Sequence, residues 1–260
     1  MKHSIRAAAA AIVLLCGVSH AEELPPALQN LAQQGVEVVK RFDAPAGLAG
    51  YVINVGGRSQ VIYVTGDGQH VLLGALLDRQ GRNLTEEHVA THVYAEAWDA
   101  VEDARWVAVG AEKPKTVVYV LADPYCPYCH AFWQASRAYW DAGLQARWIM
   151  VSYLRPDGAA KVAAILDADD PAAALASHQE AFDHGGIEAA ASPNDSTLQT
   201  VRDNTALMGK LGINGTPAIL FKNAEGRVQI VRGMPKLDAL PEMFQLPKQD
   251  VDAPGLERFR

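Results

Sequence analysis

The stretch Thr116-Val117-Val118-Tyr119-Val120-Leu121-Ala122 carries no charge and is rich in β-branched residues, the pattern of a strand buried on both faces. A few residues later come Cys126-Pro127-Tyr128-Cys129 and an amphipathic segment from about Pro127 to Ala142, closed by Gly143. A second strand-like run, Ala146 to Leu154, follows. Strand, helix and strand in this order make a parallel pair with a right-handed crossover, so this half of the chain is read as α/β. Pro127 suits the first helical position, where its missing N–H has no partner in any case. Cys126 then lies at the helix start, close to unpaired N–H groups and the positive end of the helix dipole, which favours its thiolate. Phe132, Trp133, Tyr139 and Trp140 share a side with Cys129, so Cys129 is expected to point inward and Cys126 to stay at an exposed turn.

Residues 1–21 read as an export signal. Lys2 and Arg6 form a basic start, Ala7 to Val18 is apolar but too short to span a bilayer, and Ser19-His20-Ala21 is a small-x-small cleavage site before Glu22. Cys16 follows Leu15 rather than a small residue, which disfavours lipid attachment. Without the signal the chain has 21 basic against 30 acidic residues, a net charge of −9. That balance argues against nucleic acid or anionic membranes as partners. Cys126 and Cys129 are then the only cysteines left. An exported domain that needed stapling would carry several, and so short a loop restricts little chain entropy, which leaves the pair for reactivity.

Ahead of that core, Leu24 to Gln34 reads as a short helix with Pro25 and Pro26 at its start and Gly35 at its end. Strand-like runs follow at Val36 to Phe42, Tyr51 to Val55, Gln60 to Thr65 and His70 to Leu77, separated by turn residues such as Gly56-Gly57 and Asp67-Gly68. Residues 22–84 thus form an α+β domain whose thin sheet needs a further surface to cover both faces. Thr85 is read as the cap of a long helix reaching about Val101, polar enough to suit a spacer, with the linker placed at 85–112. The second domain is set at 113–247. It contains an alanine-rich helical insertion at about 155–212, then a hairpin of Pro217 to Lys222 and Arg227 to Arg232 and a final helix opened by Pro235. The tail, 248–260, is expected to be loosely ordered.

A C-x-x-C pair beside a β-α-β pattern signals a dithiol redox site. Thr216-Pro217, 90 residues after Cys126 and opening a strand, supplies a second element. In the thioredoxin fold a cis-proline loop packs against the cysteine pair and presents its preceding backbone to an extended substrate. The chain resembles the DsbC/DsbG family of periplasmic, homodimeric thiol:disulfide interchange proteins, and its DsbG members most closely. The likeness is carried by Glu22-Glu23-Leu24-Pro25, Phe42-Asp43-Ala44-Pro45 with Gly50-Tyr51, Ala122-Asp123-Pro124-Tyr125-Cys126-Pro127-Tyr128-Cys129, and Asp203-Asn204 through Leu207-Met208 to Thr216-Pro217-Ala218-Ile219. It implies an N-terminal cystatin-like dimerisation domain, a linker helix and a C-terminal thioredoxin-like domain with a helical insertion. It also implies a periplasmic homodimer that isomerises or reduces disulfides of exported proteins, reduces sulfenylated single cysteines, and is kept reduced by a membrane electron donor of the DsbD type. No cofactor is expected beyond the cysteine pair.

In this reading Cys126 attacks, Cys129 resolves, and the two form the redox-active disulfide Cys126–Cys129. Pro127 and Tyr128 tune the pair, with Tyr128 shielding it, and Thr216 and Pro217 form the substrate loop. Many thioredoxin-like proteins place a buried carboxylate six residues before the first cysteine; here that position is Val120, which leaves His130 as a candidate proton relay. Two other readings compete. A DsbA-like dithiol oxidase also carries Pro-Tyr between its cysteines, but lacks the N-terminal sheet and linker. Cys126, Cys129 and His130 also match the C-x-x-C-H pattern of c-type haem attachment, with Met208, Met234 or Met243 as the second axial ligand. The buried strand before the motif and the Thr216-Pro217 element speak against it. No metal is expected: His88 and His92 are four apart but read as solvated or capping, and Val89 breaks H-E-x-x-H. The −9 charge suggests an acidic cleft that favours folded or polar clients.

Overall fold

The computed structural model describes residues 24–56 and 58–260; the expected export signal, Cys16 and Gly57 lie outside the described residues. Helix α1 (Pro26–Gln33) leads into four antiparallel strands, β1 (Glu37–Asp43), β2 (Ala49–Val55), β3 (Arg58–Val64) and β4 (Val71–Leu72), in that spatial order. Alternation along β2 and β3 gives this sheet two apolar faces. Tyr51, Ile53, Ile62 and Val64 pack with Leu28 of α1, while Phe42, Val52, Val61 and Tyr63 meet Leu76, Val89 and Val93. The further surface that the sheet requires is thus built from the chain's own flanking helices. Gly50 allows this closeness, since a β-carbon there would fall inside the Phe42 ring.

The spacer expected at 85–112 is two helices and a strand. Helix α2 (Leu84–His92) stays with the first sheet, α3 (Tyr94–Glu102) packs on the second, and Val93 is the joint between them. Asn83, not Thr85, caps α2, its side-chain oxygen accepting from the Thr85 and Glu86 N–H groups at 3.1 and 3.3 Å. The Thr85 hydroxyl instead bonds the Tyr63 hydroxyl at 2.7 Å. His88 and His92 are not solvated caps: Tyr63 bonds His88 Nδ1 at 2.9 Å and Phe42 stacks on His92 at 4.1 Å. Ala97, Trp98 and Val101 bury α3 against Tyr119, Leu121 and Ile149. Strand β5 (Val107–Gly110) follows, so the second module starts before residue 113.

That module is a five-stranded sheet of β5, β6 (Thr116–Ala122), β7 (Leu144–Met150), β8 (Ala218–Lys222) and β9 (Val228–Arg232), in the order β5-β7-β6-β8-β9. β6 and β7 run parallel, and the other neighbours are antiparallel. Helix α4 (Pro127–Arg137) makes the crossover and ends before the expected Ala142; Phe132 and Trp133 bury it against Trp148 and Phe244. The insertion carries α5 (Gly158–Leu166), α6 (Pro171–Glu180) and α7 (Asp195–Lys210), and α8 (Leu240–Phe244) closes the core. The tail is not loose. Val251 and Leu256 are buried in the main core and Phe259 packs against it, because apolar residues spaced too irregularly to suggest a helix still fill gaps along an irregular path.

Candidate active site

β6 ends at Ala122 and the chain turns through Asp123-Pro124-Tyr125 before α4 begins. Cys126 is the N-cap of that helix, with extended backbone (φ −83°, ψ 115°), and its sulfur accepts from the Cys129 N–H at 3.4 Å. Pro127 occupies the first helical turn. On the other side the Cys126 thiol donates to the Thr216 carbonyl at 3.2 Å, from a loop whose Thr216–Pro217 peptide is cis. That loop covers the sulfur, so Cys126 is only 3 % exposed rather than sitting on an open turn; Cys129, as expected, is interior at 1 %. Both are free thiols.

The two thiols are driven apart in acidity. Cys126 is held down from its ordinary 9.0 to about 6, first by the Cys129 thiol; burial, next in size, opposes this, but the Thr216 side chain and the Cys129 and Tyr128 N–H groups add to the thiol and together they prevail. Cys129 moves well above 9.0, chiefly because it is buried and secondarily because it faces Cys126. At neutral pH the site therefore holds one thiolate and one proton, the arrangement needed for nucleophilic attack followed by resolution.

Sequence reasoning missed Asp123. It is 1 % exposed, and its carboxylate accepts from the N–H groups of Tyr125 (2.9 Å), Tyr153 (2.9 Å) and Leu154 (3.1 Å). Past Met150 the chain leaves the sheet in steps: the Val151 N–H still bonds the Ala122 carbonyl at 2.9 Å, the Ser152 N–H turns to Thr205 Oγ1 at 3.1 Å, and the Tyr153 and Leu154 N–H groups go to Asp123. The Asp-Pro dipeptide was the available signal, since it marks an Asx-type turn. Tyr153 reaches on to the cis-proline loop, with its hydroxyl 3.1 Å from the Thr216 N and 3.0 Å from Thr216 Oγ1. From the insertion, His178 donates through Nε2 to the Pro124 carbonyl at 2.8 Å, and Asp157 accepts from the Tyr125 hydroxyl, whose pKa burial pushes up to about 12.

His130 takes a different place from a proton relay beside the pair. Its Nδ1 pairs with Gln179 Oε1 at 2.9 Å and its ring stacks on Phe182 at 4.5 Å, so it docks the insertion onto α4. Tyr128 is 46 % exposed on the outer side of the motif, where Phe259 meets it edge-on at 6.3 Å and Arg258 lies 5.3 Å above it. Val120 is a core residue of β6 opposite Ile219 and Trp148. Among the described residues no group of three or more His, Cys, Asp or Glu side chains is placed to hold a metal ion, and no helix is long and apolar enough to cross a membrane.

Comparison with known proteins agrees with this geometry. Residues 101–245 match the family model of a thioredoxin-like domain, and residues 17–86 match the N-terminal domain of disulfide bond isomerase proteins. The thiol:disulfide interchange protein DsbG of Pseudomonas aeruginosa is 40 % identical over 86 % of this chain and 90 % of its own length. DsbG of Escherichia coli K12 is 34 % identical over 86 % of the chain and 92 % of its own length. The catalytic domain of Proteus mirabilis ScsC superimposes with a TM-score of 0.50 at 25 % identity, covering 58 % of this chain and 94 % of that domain. A haem-binding reading and a DsbA-like oxidase reading both lose to these relationships, which extend through the N-terminal sheet.

Proposed function

Since this chain belongs to the DsbC/DsbG family of thiol:disulfide interchange proteins, we propose that Cys126 is its attacking sulfur and Cys129 its resolving one. The observation that carries this assignment is the split between the two thiols, one held down to about 6 and the other raised by burial. The Cys126 thiolate attacks one sulfur of a client disulfide, forms a mixed disulfide and releases the other sulfur as a thiolate. That thiolate can attack another disulfide of the client, and the thiolate freed there attacks the client sulfur of the mixed disulfide, which leaves rearranged client disulfides and releases Cys126 as a thiolate with Cys129 still protonated. Alternatively Cys129 gives up its proton, attacks Cys126, closes the Cys126–Cys129 disulfide and frees a reduced client. With a sulfenylated client the same attack expels the hydroxyl as water, and resolution again leaves the protein oxidised by two electrons.

The oxidised pair needs a dithiol donor, for which a membrane protein of the DsbD type is proposed, and the chemistry needs no cofactor. Export to the periplasm and assembly into a homodimer through the N-terminal sheet complete the proposal. Thr216 and Pro217 line the docking loop. Tyr128, Tyr153 and Leu154, all large and exposed, rim the pair. This apolar rim favours extended client segments with apolar side chains and weighs against the preference for polar clients suggested by net charge.

A Cys129→Ala variant expressed in the exporting compartment is the direct test. It is expected to accumulate reductant-sensitive adducts through Cys126, while Cys126→Ser with intact Cys129 accumulates none. Absence of adducts, or equal capture by Cys126→Ser, would overturn the assignment. Whether the captured client cysteines are paired or solitary separates disulfide isomerisation from sulfenic-acid reduction.

A further inference from the structure

The role of Tyr153 follows from where its hydroxyl sits. That group lies between two donors or acceptors of a single residue, the Thr216 N–H at 3.1 Å and Thr216 Oγ1 at 3.0 Å. An amide N–H can only donate, so the Tyr153 oxygen accepts from it, which leaves the Tyr153 proton free to be given to Thr216 Oγ1. When Tyr153 gives that proton, the Thr216 hydroxyl proton points away from Tyr153. Cys126 lies against the same residue, its sulfur 3.2 Å from the Thr216 carbonyl oxygen. Tyr153 is itself fixed from behind, because its own N–H is held by buried Asp123 at 2.9 Å.

We infer that Tyr153 is a positioning residue for the interchange reaction, orienting the Thr216 hydroxyl so that it donates to the ionised Cys126 sulfur. The chain of contacts runs from Asp123 through Tyr153 and Thr216 to Cys126, three loops that are far apart in sequence. Two further facts fit it. The Thr216 side chain lowers the Cys126 thiol, and burial holds Tyr153 above its ordinary 10.0, so it keeps its proton while Cys126 is ionised. A hydrogen bond to the charged form of an acid favours that form, so loss of the orienting group raises the acidity midpoint of Cys126.

This inference rests on the interchange reading of the pair, and the test separates the two. Tyr153→Phe keeps the ring, which is 43 % exposed, and removes only the hydroxyl. The rate of Cys126 alkylation is measured on the reduced, signal-free protein from about pH 4 to about pH 9, with the thiolate's ultraviolet absorbance as a second readout. Tyr153→Phe is expected to raise the midpoint by about half a unit, a roughly threefold slower alkylation below the midpoint. Thr216→Val should raise it as well, Thr216→Ser should leave it near wild type, and Tyr153→Phe should add nothing in the Thr216→Val background. An unmoved midpoint in Tyr153→Phe overturns the inference, as does an equal shift in the presence and absence of the Thr216 hydroxyl. Failure of the underlying reading looks different: the midpoints move as stated, supporting the positioning role, but wild-type protein exchanges no disulfide.

Discussion

The two modules of this chain each bury a small hydrogen-bonded knot between a sheet and what lies on it, and the knots differ in where they end. In the first module Tyr63 joins Thr85 and His88, so strand β3 holds helix α2 and the polar groups satisfy one another. In the second, Asp123 gathers the amides of two loops, Tyr153 extends the chain to Thr216, and the last member touches a sulfur. A knot closed on itself contributes docking and stability alone. One that ends on an ionisable atom also sets that atom's acidity, because each donor aimed at it favours the charged form.

The comparison breaks most sharply at the sulfur itself. Cys126→Ser should lower disulfide exchange by at least about a thousandfold, since the serine hydroxyl is not ionised near neutral pH and cannot form the mixed disulfide. Measured by circular dichroism at about pH 5, below the range in which the thiolate contributes stability, its melting temperature should stay close to that of the reduced wild type. Next in size is Asp123→Ala, which strands three amide N–H groups in a buried turn. The expected loss is about 2–4 kcal/mol, a fall in melting temperature of roughly 5–15 °C, accompanied by a raised Cys126 alkylation midpoint. A variant that melted like wild type would mean that Asp123 does not hold these loops.

The contrast between the knots also explains what could be read from sequence. Thr116 to Ala122 is uncharged and β-branched, and the structure places β6 at those residues, because a strand buried on both faces permits little else. The cysteine pair was legible because chemistry needs both sulfurs at one helix start. Asp123, Tyr153 and Thr216 meet only after the chain has folded, and no periodicity announces a carboxylate that accepts amides 30 and 31 residues away. Helix α3 was hidden for a related reason. Trp98 and Val101 are buried by a sheet that begins after the helix ends, so its polar residues made it look like a free spacer. The tail misled in the opposite direction: Val251 and Leu256 follow no helical or strand period, yet both fill the core.

Acidity separates the modules next. Cys126 has a folded pKa of about 6 against an ordinary 9.0, so the stability that its thiolate contributes to the reduced protein is fully present above pH 9 and is lost as pH falls through about 6. Burial holds His88 and His92 below their ordinary 6.5, so the stability of the first knot is full above 6.5 and declines as pH falls below it. Oxidising the pair removes the first dependence and leaves the second. Urea titrations of reduced and oxidised protein should therefore differ in pH slope mainly between about 6 and 9 and agree in slope below. Parallel curves throughout would mean that Cys126 is an ordinary thiol.

The smallest effect belongs to the closed knot. Tyr63→Phe removes a hydroxyl that bonds both Thr85 and His88 Nδ1 while keeping the ring that fills the second face of the first sheet. The loss is expected to be about 1 kcal/mol, because the Thr85 hydroxyl retains its bond from the Leu76 N–H and only the His88 nitrogen must find a new partner. The Cys126 alkylation midpoint should not move, since no contact of this knot ends on the sulfur. A midpoint that shifted in Tyr63→Phe as it does in Asp123→Ala would show that α2 and α3 transmit strain between the sheets, and that the two knots are parts of one network.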